Sequence, residues 1–400
     1  MPPYDCLLVT NQLPWGFCYE MMTEIAAALT ARGLRVRKYV INSSRMDDQA
    51  QAFAKDVVQQ VQRNPHLFIV DMMNRRRLNT LDGLRQIPIF NVFTDAPYVM
   101  HEDVLSMTAS SVIGYSDRNH REYLEDMGVG CRHVFFPHAG PEPDAGWPAS
   151  RDRPIPILLM AHFRSRPSRR DFLASFGATD PLVLRLIDTT LDRIIDDNRE
   201  PYIAFKDSCR DLSVDWRQAF TAETLARLVG ELTIWVERET RYRILRQLDG
   251  LPVHIAGVIS DDYFDWRPET LVRLGAQTTT ECLALLRQSK ILCNTIAVRP
   301  DGAHERLWYG VASGAAVVTD ASALVAGDFR NGRDMFFFEK GYRRVRDTVE
   351  TMLHDTDLDA VTTAARHIYR RRHTWNRRVS ILLEAVNRSS PKQATANGRG

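Results

Sequence analysis

The sequence predicts an α/β fold made of two Rossmann-like, doubly wound domains. In the first 140 residues, short apolar segments alternate with amphipathic helical segments, an order typical of parallel sheets. The same alternation returns after residue 155. Between the two parts, five prolines fall within residues 141–156, and proline continues neither a helix nor a central strand. We therefore expect an interdomain linker there.

Each element of the first part follows from its pattern of apolar residues. Strands are predicted at residues 6–10, 34–41, 67–71, 87–93, 111–115 and 132–136. Helices are predicted at residues 21–31, 50–63 and 118–127. These elements form a first domain at residues 1–145.

The second part repeats this order around a longer helical stretch. Strands are predicted at residues 157–161, 253–258, 290–294 and 315–319. Helices are predicted at residues 279–288 and 375–386. Residues 345–368 are predicted to be mostly helical, and helical periodicity dominates residues 176–248. We expect a second domain at residues 155–372 with a helical insertion at 176–248, a C-terminal helix at 373–388 and a disordered polar tail at 389–400.

Composition narrows the range of functions. The chain has 400 residues, 44% of them hydrophobic and 26% charged, which is ordinary for globular proteins. Its 52 basic and 50 acidic residues nearly cancel, so no overall field favours nucleic acid. No apolar run approaches the roughly 18 residues that a membrane span requires. The six cysteines show no metal-binding or disulfide spacing. We expect a cytoplasmic protein with no integral membrane segment.

Two common nucleotide-binding motifs are absent. The first strand leads into residues 10–16, which lack the glycines of a dinucleotide-binding turn, and the chain has no P-loop pattern. NAD-dependent enzymes and P-loop NTPases are thus disfavoured. Gln12 and Trp15 in this turn are candidates for lining an acceptor site, although loop packing explains them equally well.

Residues 304–320 form the most informative segment. They predict a short helix, closed by Gly314 in a left-handed conformation, and then a buried strand. The charged pair Glu305 and Arg306 therefore lies at a helix N-terminus. In an open α/β sheet this edge is where phosphate-bearing ligands bind.

The order of elements around this segment resembles the C-terminal half of GT-B glycosyltransferases. The residues that carry the likeness are Ala312-x-Gly314-Ala315, Val317-Val318-Thr319-Asp320, Phe329, Gly332, Asp334, Phe336-Phe337-Phe338 and His373-Thr374-Trp375-Asn376-Arg377-Arg378. The likeness is strongest over residues 250–385 and points to the group related to the spore-maturation protein CgeB and to the glycosyl transferases group 1 families. It implies two domains facing across a cleft, with a nucleotide-sugar donor on the second.

The resemblance also implies residues that bind the donor: Arg166, Arg170, Gly257, Asp301, His304, Glu305, Arg306 and Tyr309. Arginines after the first strand of the second domain, within residues 164–170, would neutralise the diphosphate, because guanidinium groups offer bidentate charged donors. Glu305 would bind the ribose hydroxyls and Arg306 the phosphates. Gly257 would allow close approach of the nucleobase.

One departure from the family pattern concerns two acidic positions. Retaining GT-B enzymes commonly carry two glutamates eight residues apart, and the positions here are Asp301 and Tyr309. Tyr309 brings no charge, so Glu305 is expected to take over the ribose contact. This departure keeps open a catalytically silent binding or scaffold protein of the same fold.

An inverting transfer needs a base for the acceptor hydroxyl. Asp95 follows the predicted strand at residues 87–93, and His138 follows the one at residues 132–136, so both are candidates. As an alternative, Asp95 is a turn former. His101 and His120 are expected at the surface.

No pattern indicates a metal or a tightly bound cofactor. The only D-x-D spacing, Asp355, Asp357 and Asp359, is interpreted as a helix start with capping acids. The sequence therefore predicts a metal-independent glycosyltransferase that uses a nucleotide sugar. The alternatives are the silent binding protein and a nucleotide-sugar epimerase, and the acceptor stays open.

Overall fold

The computed structural model describes residues 4–11, 17–41, 48–73, 78, 84–143, 146–177 and 180–389. The chain divides into two compact units. The first comprises Met1–Glu142 together with Arg371–Gly400, and the second comprises Pro143–Arg370. The chain thus leaves the first unit, completes the second and returns.

The first unit is built on a six-stranded parallel sheet in the order β2-β1-β3-β4-β5-β6. Its strands are β1 (Cys6–Thr10), β2 (Val36–Val40), β3 (Phe68–Met72), β4 (Ile89–Val92), β5 (Ser111–Tyr115) and β6 (Arg132–Phe135). Its helices are α1 (Cys18–Thr30), α2 (Asp48–Arg63), α3 (His101–Leu105), α4 (His120–Asp126) and, at the end of the chain, α15 (Trp375–Ser389). Strands β1, β3, β4 and β5 are buried throughout, as expected for strands covered by helices on both faces of the sheet.

Helices cover both faces of this sheet. Met21 and Met22 of α1 share one apolar core with Leu382 of α15, whereas Phe53 and Val57 of α2 belong to the core on the other face. The returning segment is fastened by main-chain hydrogen bonds, from Gly140 N to His373 O at 3.0 Å and from Trp375 N to Gly140 O at 2.9 Å. The C-terminal helix is therefore an integral layer of the first unit.

The second unit is built on a parallel sheet in the order β12-β11-β10-β7-β8-β9. Its strands are β7 (Ile155–Met160), β8 (Val253–Ala256), β9 (Val272–Gly275), β10 (Ser289–Cys293), β11 (Ala316–Asp320) and β12 (Phe336–Phe338). Its helices are α5 (Arg169–Ser175), α6 (Pro181–Asp196), α7 (Pro201–Asp211), α8 (Trp216–Ala219), α9 (Ala222–Gln247), α10 (Thr279–Gln288), α11 (Glu305–Ala312), α12 (Ala323–Ala326), α13 (Val345–His354) and α14 (Leu358–Arg372). The predicted helical stretch corresponds to α6–α9.

Local sequence explains where the helices of this stretch begin. Asp180 and Glu200 accept hydrogen bonds from main-chain N–H groups of the first turns of α6 and α7, each followed by proline at the first helical position. Thr221 caps α9 in the same way. These caps satisfy N–H groups that a helix cannot pair internally.

The structure corrects the prediction at several elements. β7 begins at Ile155 and includes Pro156, although we expected the proline-rich stretch to exclude a central strand. Proline is tolerated there because Pro156 is not itself a paired position: β10 pairs with Ile155 and Ile157, and β8 pairs only from Ile157 onward. Strands β9 and β12 and helix α3, each of three to five residues, were not predicted. Such short elements carry too few residues to show a period.

Candidate functional site

Helix α11 forms the centre of the site, and two glycines set its position. Gly314 adopts φ +75°, which confirms the predicted left-handed end of this helix. A Cβ on Gly310 would lie 2.4 Å from Cδ2 of Leu292, so glycine there permits close packing of α11 on β10. Leu307 and Val311 face the core. The start of α11 is thereby fixed at the carboxyl edge of the sheet.

Two neighbouring strands end at the same edge. Gly257, directly after β8, has φ +151°, and a Cβ there would lie 1.9 Å from the main-chain oxygen of Ala161. The close approach that this glycine permits is therefore to the segment after β7. Val258 N donates to Nδ1 of His162 at 3.1 Å, which joins the two loops. A role of Gly257 toward a nucleobase stays a prediction.

Arg306 links α11 to this edge and lies in a cluster of charges. Its Nη1 donates to the main-chain oxygen of Met160 at 2.6 Å. Burial and, next, the like charge of Arg241 lower the pKa of Arg306 to about 10. The carboxylates of Glu305 and Glu237 raise it. Nη1 of Arg241 donates to the main-chain oxygen of His162 at 3.1 Å.

Four charged side chains act on Arg306. The like charges of Arg241 and Arg299 lower its pKa, and the carboxylates Glu305 and Glu237 raise it. The Nε atoms of Arg306 and Arg241 are buried and have no hydrogen-bond acceptor among the described residues. Because an unpaired buried donor is costly, these N–H groups are suited to an anionic ligand.

The pair His304 and Glu305 sets the protonation at the helix start. Nδ1 of His304 lies 2.8 Å from Oε2 of Glu305. Burial and the Arg306 guanidinium lower the pKa of His304 to about 3, so the ring is neutral at pH 7. Since a carboxylate carries no proton, Nδ1–H must donate to Glu305. Nδ1 therefore cannot accept from the Arg306 main-chain N–H 3.5 Å away, which leaves that N–H for a ligand.

Tyr309 lies within α11, and Asp301 precedes the helix in sequence. Tyr309 is 2% exposed, so its ring belongs to the interior, whereas Asp301 is partly exposed in the turn before α11. Their roles toward a donor stay predictions.

The predicted arginine cluster is largely engaged in ion pairs. Nη1 of Arg166 donates to Glu239 at 2.8 Å, and its guanidinium carbon lies 3.8 Å from the centre of the Tyr242 ring. Arg169 pairs with Asp188 and Asp192 on α6. Arg170 is exposed on α5. The contacts of Arg166 give it a clear structural role, while donor binding by Arg166 and Arg170 stays a prediction.

Arg241 and Arg299 were missed by the sequence analysis. Arg241 lies within the 26-residue helix α9, and Arg299 lies in the loop after β10. Neither stands in a motif, so only the folded arrangement shows that they adjoin Arg306. A buried carboxylate helps to hold the Arg299 loop, because Oδ2 of Asp320 accepts from Ile296 N at 2.6 Å.

The two candidate bases lie in the first unit. Asp95 is partly buried after β4, and His138 is 2% exposed after β6. Their positions follow the predicted strands, and their catalytic roles stay predictions. The expectation that His120 lies at the surface is wrong, because it is fully buried, and His101 is partly buried with Nδ1 2.6 Å from the Tyr123 hydroxyl. His120 packs edge-on against Tyr98, a contact that sequence spacing does not reveal.

The D-x-D segment acts as a helix cap. Oδ1 of Asp357 accepts from the main-chain N–H groups of Asp359 and Ala360 at 3.1 Å each, and Oδ1 of Asp359 accepts from Ser150 N. Within the described ranges, no group of three or more His, Cys, Asp or Glu side chains is arranged to hold a metal. The same residues include no helix long and apolar enough to cross a membrane. Gln12, Trp15 and the predicted tail from residue 390 lie outside the described residues.

Part of the chain matches a known protein family in sequence. Residues 238–384 match the model of a family described as Glycosyl transferase-like, and this segment contains α11 together with Arg241 and Arg299. No curated protein matches the chain in sequence.

Solved structures resemble the whole chain. Sucrose-phosphate synthase from Thermosynechococcus elongatus is 8% identical, with a TM-score of 0.51 over 96% of this chain and 98% of that one. A DNA-modifying β-glucosyltransferase, whose structure was determined with and without its substrate uridine diphosphoglucose, is 10% identical, with a TM-score of 0.50 over 96% and 99%. HepE from Anabaena, in complex with UDP and glucose, gives 9% identity and a TM-score of 0.48 over 96% and 99%. At 8% and 10% sequence identity, the first two matches show a shared fold and nothing further. The predicted GT-B fold class is confirmed.

Proposed function

We propose that this protein is a glycosyltransferase that moves a sugar from a nucleoside diphosphate donor to an acceptor. The observation that carries the proposal is the group of charges at the start of α11, where Arg241 and Arg299 oppose the charge of the buried Arg306 and the carboxylates Glu305 and Glu237 favour it. The family-model match includes this segment, which supports the assignment of the chemistry to it.

The geometry suits a departing diphosphate. Negative charge grows on the leaving phosphate as the bond to the sugar breaks, and preorganised donors stabilise it most strongly in a partly buried site. The unpaired Nε–H groups of Arg306 and Arg241 and the Arg306 main-chain N–H are such donors. In this proposal the arginines supply the positive charge that a metal ion supplies in other transferases, so transfer is independent of divalent metal.

Glu305 is the proposed partner of the donor ribose. Its side chain is 12% exposed, and its position at the first residue of α11 is fixed by the His304 ring. A carboxylate accepts hydrogen bonds from both ribose hydroxyls without a proton of its own. The uridine nucleotide named for the β-glucosyltransferase makes UDP the first nucleotide to test.

The acceptor step is assigned to the first unit. We propose Asp95 or His138 as the base if the transfer inverts the anomeric centre, because each follows the carboxyl end of a strand in that sheet. Membership of the CgeB-related group is part of the same proposal and rests on the residues around α11.

A binding and turnover assay tests the proposal. UDP binding is measured by calorimetry for the wild type, for Arg306→Ala and for the matched variant Arg151→Ala, whose side chain is 87% exposed. We expect UDP to bind the wild type and Arg151→Ala alike and to bind Arg306→Ala more weakly.

Turnover of a panel of nucleotide sugars, with and without chelator, then distinguishes a transferase, a silent binding protein and an epimerase. Product that carries the sugar on an added acceptor, formed equally in chelator, supports the transferase. UDP binding with no turnover of any donor indicates a silent binding protein, and a donor whose sugar changes configuration indicates an epimerase.

A further inference from the structure

A cavity lies within the helical layer of the second unit, among α5, α6 and α9. Its volume is about 380 Å³. Its apolar lining consists of Phe172, Phe176, Val183, Ile187, Phe220 and Leu228. The volume falls within the range of roughly 300–1,000 Å³ found for small-molecule sites.

Aromatic rings pack against one another along one side of the cavity. The ring of Phe172 stacks on Trp235 with centroids 5.3 Å apart and meets Phe176 edge-on at 5.0 Å. Phe172, Ile187 and Leu228 are buried. No charged side chain is among these apolar residues, so the inner part of the cavity is unsuited to a phosphate or a free sugar.

The polar lining marks where the cavity meets solvent. Arg227 and Glu231 are exposed, lie one turn apart on α9 and form no ion pair among the described residues. Ser175 and Thr224 are exposed and add hydroxyl groups to the same lining. Opposite charges and hydroxyls together favour an uncharged, hydroxyl-rich head group over one with net charge.

We propose that this cavity binds a single-chain amphiphile, with its hydrocarbon tail among the phenylalanine rings and an uncharged polyhydroxyl head beside Arg227 and Glu231. None of the lining residues is among the charges named around α11, and the proposal holds whether or not the chain transfers a sugar. A folded protein segment is a poorer occupant, because the site is a concavity of small-molecule size rather than an extended apolar face.

A series of alkyl β-glucosides tests the proposal. Methyl, hexyl and octyl glucoside are titrated into the protein below their critical micelle concentrations, with calorimetry and Trp235 fluorescence as readouts. Each methylene that enters an apolar cavity contributes about 0.8 kcal/mol, a factor of about four in Kd. We expect measurable binding of octyl glucoside, weaker binding of hexyl glucoside and none of methyl glucoside.

Matched variants locate the binding. Val183→Trp fills the cavity from α6, and Ser175→Trp narrows it from the exposed end of α5. Leu182→Trp adds the same bulk beside Val183 at a position that is 44% exposed and outside the lining.

We expect the first two variants to weaken octyl glucoside binding at least tenfold and Leu182→Trp to change it less than twofold, with circular dichroism unchanged. Equal binding by folded Ser175→Trp and Leu182→Trp would overturn the proposal. So would methyl glucoside binding as tightly as octyl glucoside. If Val183→Trp does not fold, Ser175→Trp decides the question alone.

Discussion

Nη1 of Arg306 donates to the main-chain oxygen of Met160, 2.6 Å away, and so joins the first turn of α11 to the last residue of β7. The other side of the same guanidinium carries the buried Nε–H that has no acceptor among the described residues. One arginine thus has both a structural contact and a donor left for a ligand.

Replacing Arg306 separates these two roles. Arg306→Ala should weaken UDP binding roughly tenfold to a hundredfold, the effect of losing a charged hydrogen bond worth about 1.5–3 kcal/mol. Arg306→Lys keeps the charge but has a single ammonium nitrogen, which cannot occupy the positions of both Nη1 and Nε, so it should fall between the alanine variant and the wild type. Calorimetry with UDP measures all three. UDP affinity unaffected by Arg306→Ala would assign this arginine to structure alone.

Glu305 should matter more for UDP affinity than Tyr309. Glu305→Gln retains the shape but removes the charged acceptor, whereas Tyr309→Phe removes a neutral hydroxyl from a buried ring. Hydrogen bonds to charged groups are roughly twice as strong as neutral ones. Nucleoside diphosphate affinity for the two variants decides between them. A larger loss in Tyr309→Phe would show that the ribose contact was assigned to the wrong residue.

Stability should fall in acid because of His304. Burial and Arg306 lower its pKa to about 3 in the folded protein, against about 6.5 in the unfolded chain. Below about pH 6.5 the unfolded chain binds a proton that the folded state does not, so the free energy of unfolding decreases as the pH falls toward 3. The contribution of this residue between pH 7 and pH 4 is on the order of 3 kcal/mol.

His304→Gln provides the control for that effect. The glutamine amide still donates to Glu305 but does not titrate. Urea unfolding at pH 7, 5.5 and 4 should show a smaller loss of stability for this variant than for the wild type. Parallel pH dependence in the two proteins would contradict the role of His304.

Gly314 should not tolerate a side chain. Its φ of +75° strains any other residue, and a Cβ there would lie 2.3 Å from the ring of Trp147. Gly314→Ala should therefore cost about 1–3 kcal/mol of unfolding free energy. In the double variant Gly314→Ala with Trp147→Ala, the clash is removed but the strain remains. In denaturant unfolding of the four proteins of this cycle, the double variant should lose less stability than the sum of the two single losses. Strict additivity would mean that the ring simply moves aside.

The pattern of strands was predictable because parallel strands covered on both faces are continuous apolar runs. β1 and β5 have the predicted bounds, and α11 has its predicted glycine end. β9 was not predictable because its residues are mostly exposed and it pairs only at the sheet edge with β8. β7 shows the opposite case, in which a strand contains a proline because Pro156 is not itself a paired position.

The candidate site was predictable only where its residues follow one another in sequence. Glu305 and Arg306 are neighbours at a helix start, and the pattern around them identified both. Arg241 lies more than sixty residues earlier on α9 and reaches the site through a contact with His162. Likewise, Glu239 and Tyr242 engage Arg166, an arrangement that the charge cluster at residues 164–170 does not reveal. Long-range charge balance has no signature in local spacing.

The return of the chain to the first unit determines when each part can be completed during synthesis. Trp375, Val379 and Leu382 of α15 belong to the same apolar core as β1, β3 and β5. On the ribosome, residues 1–142 must therefore wait for more than two hundred further residues, on the order of tens of seconds at usual elongation rates. The second unit is continuous and can close first. The half of the molecule that is translated first is the half that finishes folding last.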